Sequence, residues 1–133
     1  MKEEIKKEWI KRLRSGAIKQ GRKKLGHKDG ARCCLGVLCD IAVEHGVVPT
    51  PSSTCFGHLV YGGRYSEVLP PEVARWADVQ RDVLMVDPLG ENASKRLPTV
   101  NDTDRVDFQG ISELLESWEI APYNRAQPTL GMT

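Results

Sequence analysis

Large aromatic residues are scarce in this chain: three Trp, three Tyr and two Phe among 133 residues. Few bulky anchors are therefore available to any binding surface, and only a single core can be built at this length, on the order of 100–150 residues per domain. Long apolar runs are also missing. Nothing approaches the ~18 consecutive apolar residues of a membrane span. The N-terminus, MKEEIKKEWIKRLRSG, is basic without the apolar centre of a secretory signal, so the protein is expected to stay in the compartment where it is made. The glycine-loop signatures GxxxxGK[ST] and GxGxxG do not occur, which removes the two common routes to nucleotide phosphates. No CxxC pair occurs either. Cys34 and Cys39 would project about 140° apart on one helix, and neighbouring Cys33 and Cys34 cannot readily face one tetrahedral zinc. With His27, His45 and His58 scattered, no metal and no cofactor is expected.

What is present is ordinary globular material, 40% hydrophobic and 28% charged, which excludes disorder of the whole chain. The four cysteines, Cys33, Cys34, Cys39 and Cys55, are expected to be thiols, the first three behaving as small hydrophobes within an apolar run. The net charge of +1 hides an asymmetry: residues 1–28 hold eleven Lys or Arg against three Glu, leaving the remainder at −7. A basic first fifth serves an anionic ligand, nucleic acid, or the acidic remainder of the same molecule.

Along the chain, Ile5, Trp9, Ile10 and Leu13 recur at helical spacing over 2–15, with Ser15-Gly16 as the stop. A turn at Asp29-Gly30 allows a short hairpin joining 23–25 to 31–33. CLGVLCDIAVE, residues 34–44, is the strongest apolar block and reads as the buried central helix. Gly36 inside it marks a close approach by another backbone, and Asp40 faces either water or a partner in a pocket. HLVY at 58–61 and the run at 83–86 suggest short strands. Pro71 begins a third helix carrying Val73, Trp76 and Ala77 on its inner face. Residues 91–106 read as a loop. Asp107 caps a fourth helix through Trp118, and residues 122–133 read as an extended or frayed tail. The expectation is an α+β fold, predominantly helical, with four helices and short β-hairpins in one domain over 1–121.

The succession Trp9 … Leu13-Arg14-Ser15-Gly16 … Lys19-Gln20-Gly21, then CCLGVLCD at 33–40, Leu69-Pro70 … Val73 … Trp76, and Asn101-Asp102 … Phe108 … Ile111 … Leu114 resembles a family of small bacteriophage-encoded proteins. The resemblance spans the chain as far as Trp118, and the CCLGVLCD block is its most distinctive part. It implies expression in the host bacterial cytoplasm and a role in host takeover or counter-defence. It carries no established chemistry.

Four chemistries compete for the polar residues. Arg14, Lys19, Gln20 and Arg22 combine cations and amides beside glycines, and Asn101-Asp102 offers donors and acceptors for a base or ribose edge. If these stretches converge over the cysteine-rich helix, with Asp40 as a buried orienting group, they form a site for a small anionic, nucleotide-derived molecule, as in a sponge for a host immune signal. The bland alternative is a solvated basic stretch and an ordinary capping loop. CCLGVL with GHLVYGG faintly resembles papain-like hydrolases of the cell-wall type, with Cys34 as nucleophile and His58 as base. Their separation is shorter than in that family, no third orienting residue is evident, and a buried structural Cys is the simpler reading. Nucleic acid on the basic first helix is disfavoured by Glu3, Glu4 and Glu8 and by the acidic remainder. Inhibition of a host protein through the surface stays open, as does a homo-oligomer. A membrane partner is not expected.

Overall fold

The computed structural model describes residues 1–89 and 94–123. Helix α1 (Glu3–Arg14) buries Trp9, Ile10 and Leu13. Its carboxylates at Glu3 and Glu4 and its cations at Lys11, Arg12 and Arg14 suit the two ends of the helix dipole. It stops where Gly16 turns left-handed at φ 76°. Helix α2 (Cys34–Glu44) is buried along nearly its whole length, and the Trp9 indole N–H donates to the Cys34 carbonyl at 2.9 Å, pinning α1 against it. The expected backbone approach at Gly36 is real. A Cβ there would lie 1.8 Å from the Leu25 carbonyl oxygen, so only glycine fits.

Short strands β1 (Ser52–Ser53) and β2 (Leu59–Val60) pair antiparallel. Helix α3 (Pro71–Ala77) starts on its proline and ends at Asp78, left-handed at φ 60°. Strand β3 (Leu84–Val86) is central in a second antiparallel sheet, flanked by β4 (Ser94–Arg96) and β5 (Glu119–Ile120). A wide π-type turn (Thr99–Thr103) follows β4, and helix α4 (Phe108–Ser117) is capped by Asp107, whose carboxylate accepts from the Gly110 N–H at 2.9 Å. One core of Leu, Ile, Val and Cys side chains, with Trp9 and Tyr61, joins all four helices. The α+β, predominantly helical architecture is thus the one the sequence predicts.

Differences lie where side-chain pattern carries no signal. The expected loop over 91–106 contains β4 and the π turn. All three β4 side chains are exposed, so backbone pairing of Met85 with Lys95 defines the strand and no alternation announces it. The expected hairpin shrinks to bridges: Arg32 pairs with both Gln20 and Gly26, and the Cys33 N–H donates to the Leu25 carbonyl. The expected tail begins later than residue 122, since the Tyr123 N–H donates to Asp78 at 3.0 Å; the rest of that expectation lies outside the described residues. Among the described residues no helix is long and apolar enough to cross a membrane.

Candidate functional site

The two polar stretches separated by some eighty positions do meet, and Asn101 joins them. Its side chain is fully buried at the π turn. The amide oxygen accepts from the Gln20 amide at 2.9 Å and from the Cys34 N–H at 3.3 Å. The amide nitrogen donates to the Gly21 carbonyl at 2.9 Å and to the Asp102 carboxylate at 2.7 Å. All four bonding positions of a primary amide are therefore filled. Helix α2 has no side-chain cap from its own N-cap residue Cys33, so Asn101 caps its first N–H from a distant loop. Gln20 also donates to the Val106 carbonyl at 2.9 Å, and the Arg22 Nε donates to the Asn101 carbonyl at 3.2 Å. The same Asp102 oxygen accepts from the Lys23 N–H at 2.9 Å.

Gln20, Arg22, Asn101 and Asp102 are thus brought together; Arg14, Lys19 and Asp40 are held in other pairings. Arg14 bridges α1 to α4, donating to Ser112 at 2.8 Å and to both oxygens of Glu116. Lys19 reaches Asp29 at 3.3 Å. Asp40 is a half-buried acceptor between Arg32 at 2.7 Å and the Tyr61 hydroxyl at 2.6 Å. Burial, and then that bond to Asp40, raise the Tyr61 phenol well above its usual value, so it remains a donor. Among the described residues no buried side-chain polar atom lacks a partner. The interior is complete without a ligand.

What the network leaves outward is positive. Arg22, Lys23 and Arg105 have no carboxylate within ion-pair distance among the described residues. Lys23 and Arg105 also hold left-handed backbones, at φ 72° and 57°, a conformation that costs a side-chain-bearing residue on the order of 1 kcal/mol and persists where surrounding bonds enforce it. Here the enforcing bonds are Lys23 to Asp102, and Gln20 to the carbonyl after Arg105. Neither Lys23 nor Arg105 stood out in the sequence. Lys23 was one cation in a basic run, and the polar cluster 101–104 stops one residue short of Arg105.

The cysteine pairing does not assemble. Cys34 is fully buried, and burial pushes its thiol well above the usual value; Cys33 is pushed up to about 11 by the same cause. A thiol kept protonated by its surroundings packs and does not attack. His58 packs instead edge-on against His27, with ring centres 5.5 Å apart. No group of three or more His, Cys, Asp or Glu side chains among the described residues is placed to hold a metal.

Two clefts lie elsewhere. One of about 600 Å³ runs between α1, the end of α2 and Trp76 of α3, and another of about 460 Å³ lies between the start of α1 and residues 116–120. Neither is lined by the Gln20–Asn101 cluster.

A helical α+β domain closed by one buried asparagine, with a cationic rim outside it, is the class that fold and site define. The chain belongs to the family described as a domain of unknown function (DUF8296), which matches residues 1–119. No curated protein and no solved structure matches it.

Proposed function

We propose that this is a phage-encoded, non-enzymatic protein that captures a small anionic, nucleotide-derived molecule in the host bacterial cytoplasm, as a counter-defence sponge. Phage origin rests on the resemblance carried by the CCLGVLCD block. One observation supports the ligand class: the Asn101 network fixes the loops at 20–23 and 99–106 to each other and leaves Arg22, Lys23 and Arg105 uncompensated beside them. Guanidinium forks suit phosphate oxygens, and the outer oxygen of half-exposed Asp102 suits a ribose hydroxyl. The absence of a reactive thiol near a base favours capture over hydrolysis.

The test is a thermal-shift and calorimetry panel of cyclic nucleotides and ADP-ribose-type molecules. A ligand at a hundred times its Kd adds about 2.7 kcal/mol to stability, a readable rise in Tm. Indifference to every nucleotide removes the proposal.

Inhibition of a host protein has separate support in Phe56. It is 82% exposed on a tight turn in which the Thr54 hydroxyl accepts from the N–H groups of Phe56 and His58, both at 3.2 Å. A rigidly presented aromatic is a common anchor for a partner pocket. Capture of a host protein that Phe56→Ala abolishes, with nucleotides inert, would favour this second reading.

A further inference from the structure

The cleft between α1, α2 and α3 has the opposite chemistry to the cationic rim. Its floor is apolar: Ile5 from α1, Ile41 from α2 and the half-buried indole of Trp76. The His45 ring lies against that indole, 5.5 Å between centres and tilted by 45°. Three carboxylates, Glu3, Glu4 and Glu8, line it against a single lysine, Lys2. Glu8 is engaged by Arg12 at 2.8 Å, whereas Glu3 and Glu4 have no cation within ion-pair distance among the described residues. The Lys2 N–H donates to the Ala77 carbonyl at 3.1 Å, which ties the start of α1 to the end of α3 and holds the two walls together.

We infer that this cleft binds a small organic cation, an aliphatic chain ending in an ammonium or guanidinium group. The aliphatic stem covers Ile5 and Ile41, removing apolar surface from water. The cationic head lies on the electron-rich face of Trp76, where cation–π attraction adds to the pull of Glu3 and Glu4. The cleft volume of about 600 Å³ is that of a small-molecule site, roughly 300–1,000 Å³, and exceeds what one ammonium group fills. The same carboxylates repel nucleotides, so this site and the proposed anion rim take ligands of opposite charge. The inference does not depend on the sponge reading.

Agmatine is the probe, titrated into the full chain while the indole N–H resonances of Trp9, Trp76 and Trp118 are followed by NMR. The expected result is a saturable shift of Trp76 at up to millimolar agmatine, with Trp9, whose N–H is bonded to the Cys34 carbonyl, unmoved. Glu3→Gln combined with Glu4→Gln, both exposed positions, is expected to weaken binding about tenfold, the scale of one lost charge contact. Trp76→Leu gives a comparable loss, and Arg22→Ala gives none. An unmoved Trp76 resonance, equal binding of an uncharged alkyl alcohol, or unchanged affinity in the double glutamine variant overturns the inference. An arginine-containing peptide that binds far more tightly than agmatine also overturns it, by assigning the cleft to a macromolecule.

Discussion

Replacing Asn101 by alanine removes four hydrogen bonds at once, and the surroundings decide what that costs. Gln20 keeps its bond to the Val106 carbonyl and Asp102 keeps the Lys23 N–H, so neither is stranded. Two groups are. The Cys34 N–H is buried at the start of α2 with no other cap, and the Gly21 carbonyl is half-buried. An orphaned buried polar group costs about 1–3 kcal/mol. The Cys34 N–H falls at the upper end, while water reaches Gly21 and lowers its share. The total expected loss is about 3–5 kcal/mol, set against the ~5–15 kcal/mol that holds a typical domain folded. Urea unfolding followed by circular dichroism reads this directly. With a slope near 2 kcal/mol per molar, the midpoint falls by about 2 M. Asn101→Asp is a sharper probe, because it keeps the acceptors but sets a carboxylate against the Gly21 carbonyl and Asp102. It is expected to be at least as destabilising at neutral pH and to recover in part on acidification. A loss below about 1 kcal/mol for the alanine variant would refute the reasoning and show that water replaces the amide.

Three further outcomes follow from the packing and the charges. Gly36→Ala drives a Cβ to 1.8 Å from a backbone oxygen that cannot move alone, so a loss above about 3 kcal/mol is expected on the same urea assay, and unchanged stability contradicts the close approach. In the native protein a thiol reagent is expected to modify Cys55 rapidly and Cys33, Cys34 and Cys39 only on unfolding; a second fast thiol contradicts the buried placement. Hydrogen bonds from Arg12 and Arg14 lower the carboxyls of Glu44 and Glu116 from the usual 4.5. Their stabilising contribution is therefore complete above pH 4.5 and is lost as pH falls through the lowered values. Both pairs are exposed and weakened by solvent screening, so Glu44→Gln with Glu116→Gln should flatten the acid limb modestly, and an identical acid limb would contradict the pairing.

The helices were legible because periodicity reports burial: Trp9, Leu13, Leu35, Leu38, Ile111 and Leu115 all lie in the core. Gly36 was legible for a related reason, since a glycine within an apolar helix signals something pressed against it. Strand β4 was not, because its three side chains face water and only backbone bonds define it. For the site, residue types were informative and pairings were not. Arg14 and Lys19 looked available, yet Glu116 and Asp29 engage them across distances in sequence that no local pattern encodes. Asn101 looked like a surface donor and is instead buried. Arg105 carries no sequence signal; its exposure and left-handed backbone are consequences of the turn around it.

The most direct test of the central claim is calorimetric titration of ADP-ribose and of a cyclic dinucleotide into the native protein and into Arg22→Ala combined with Arg105→Ala, at low and at moderate salt. The account predicts saturable binding of at least one of them by the native chain, weakening as salt rises and lost in the double variant while its unfolding midpoint holds. Binding that survives both substitutions, or no heat from either ligand at any salt, would contradict it.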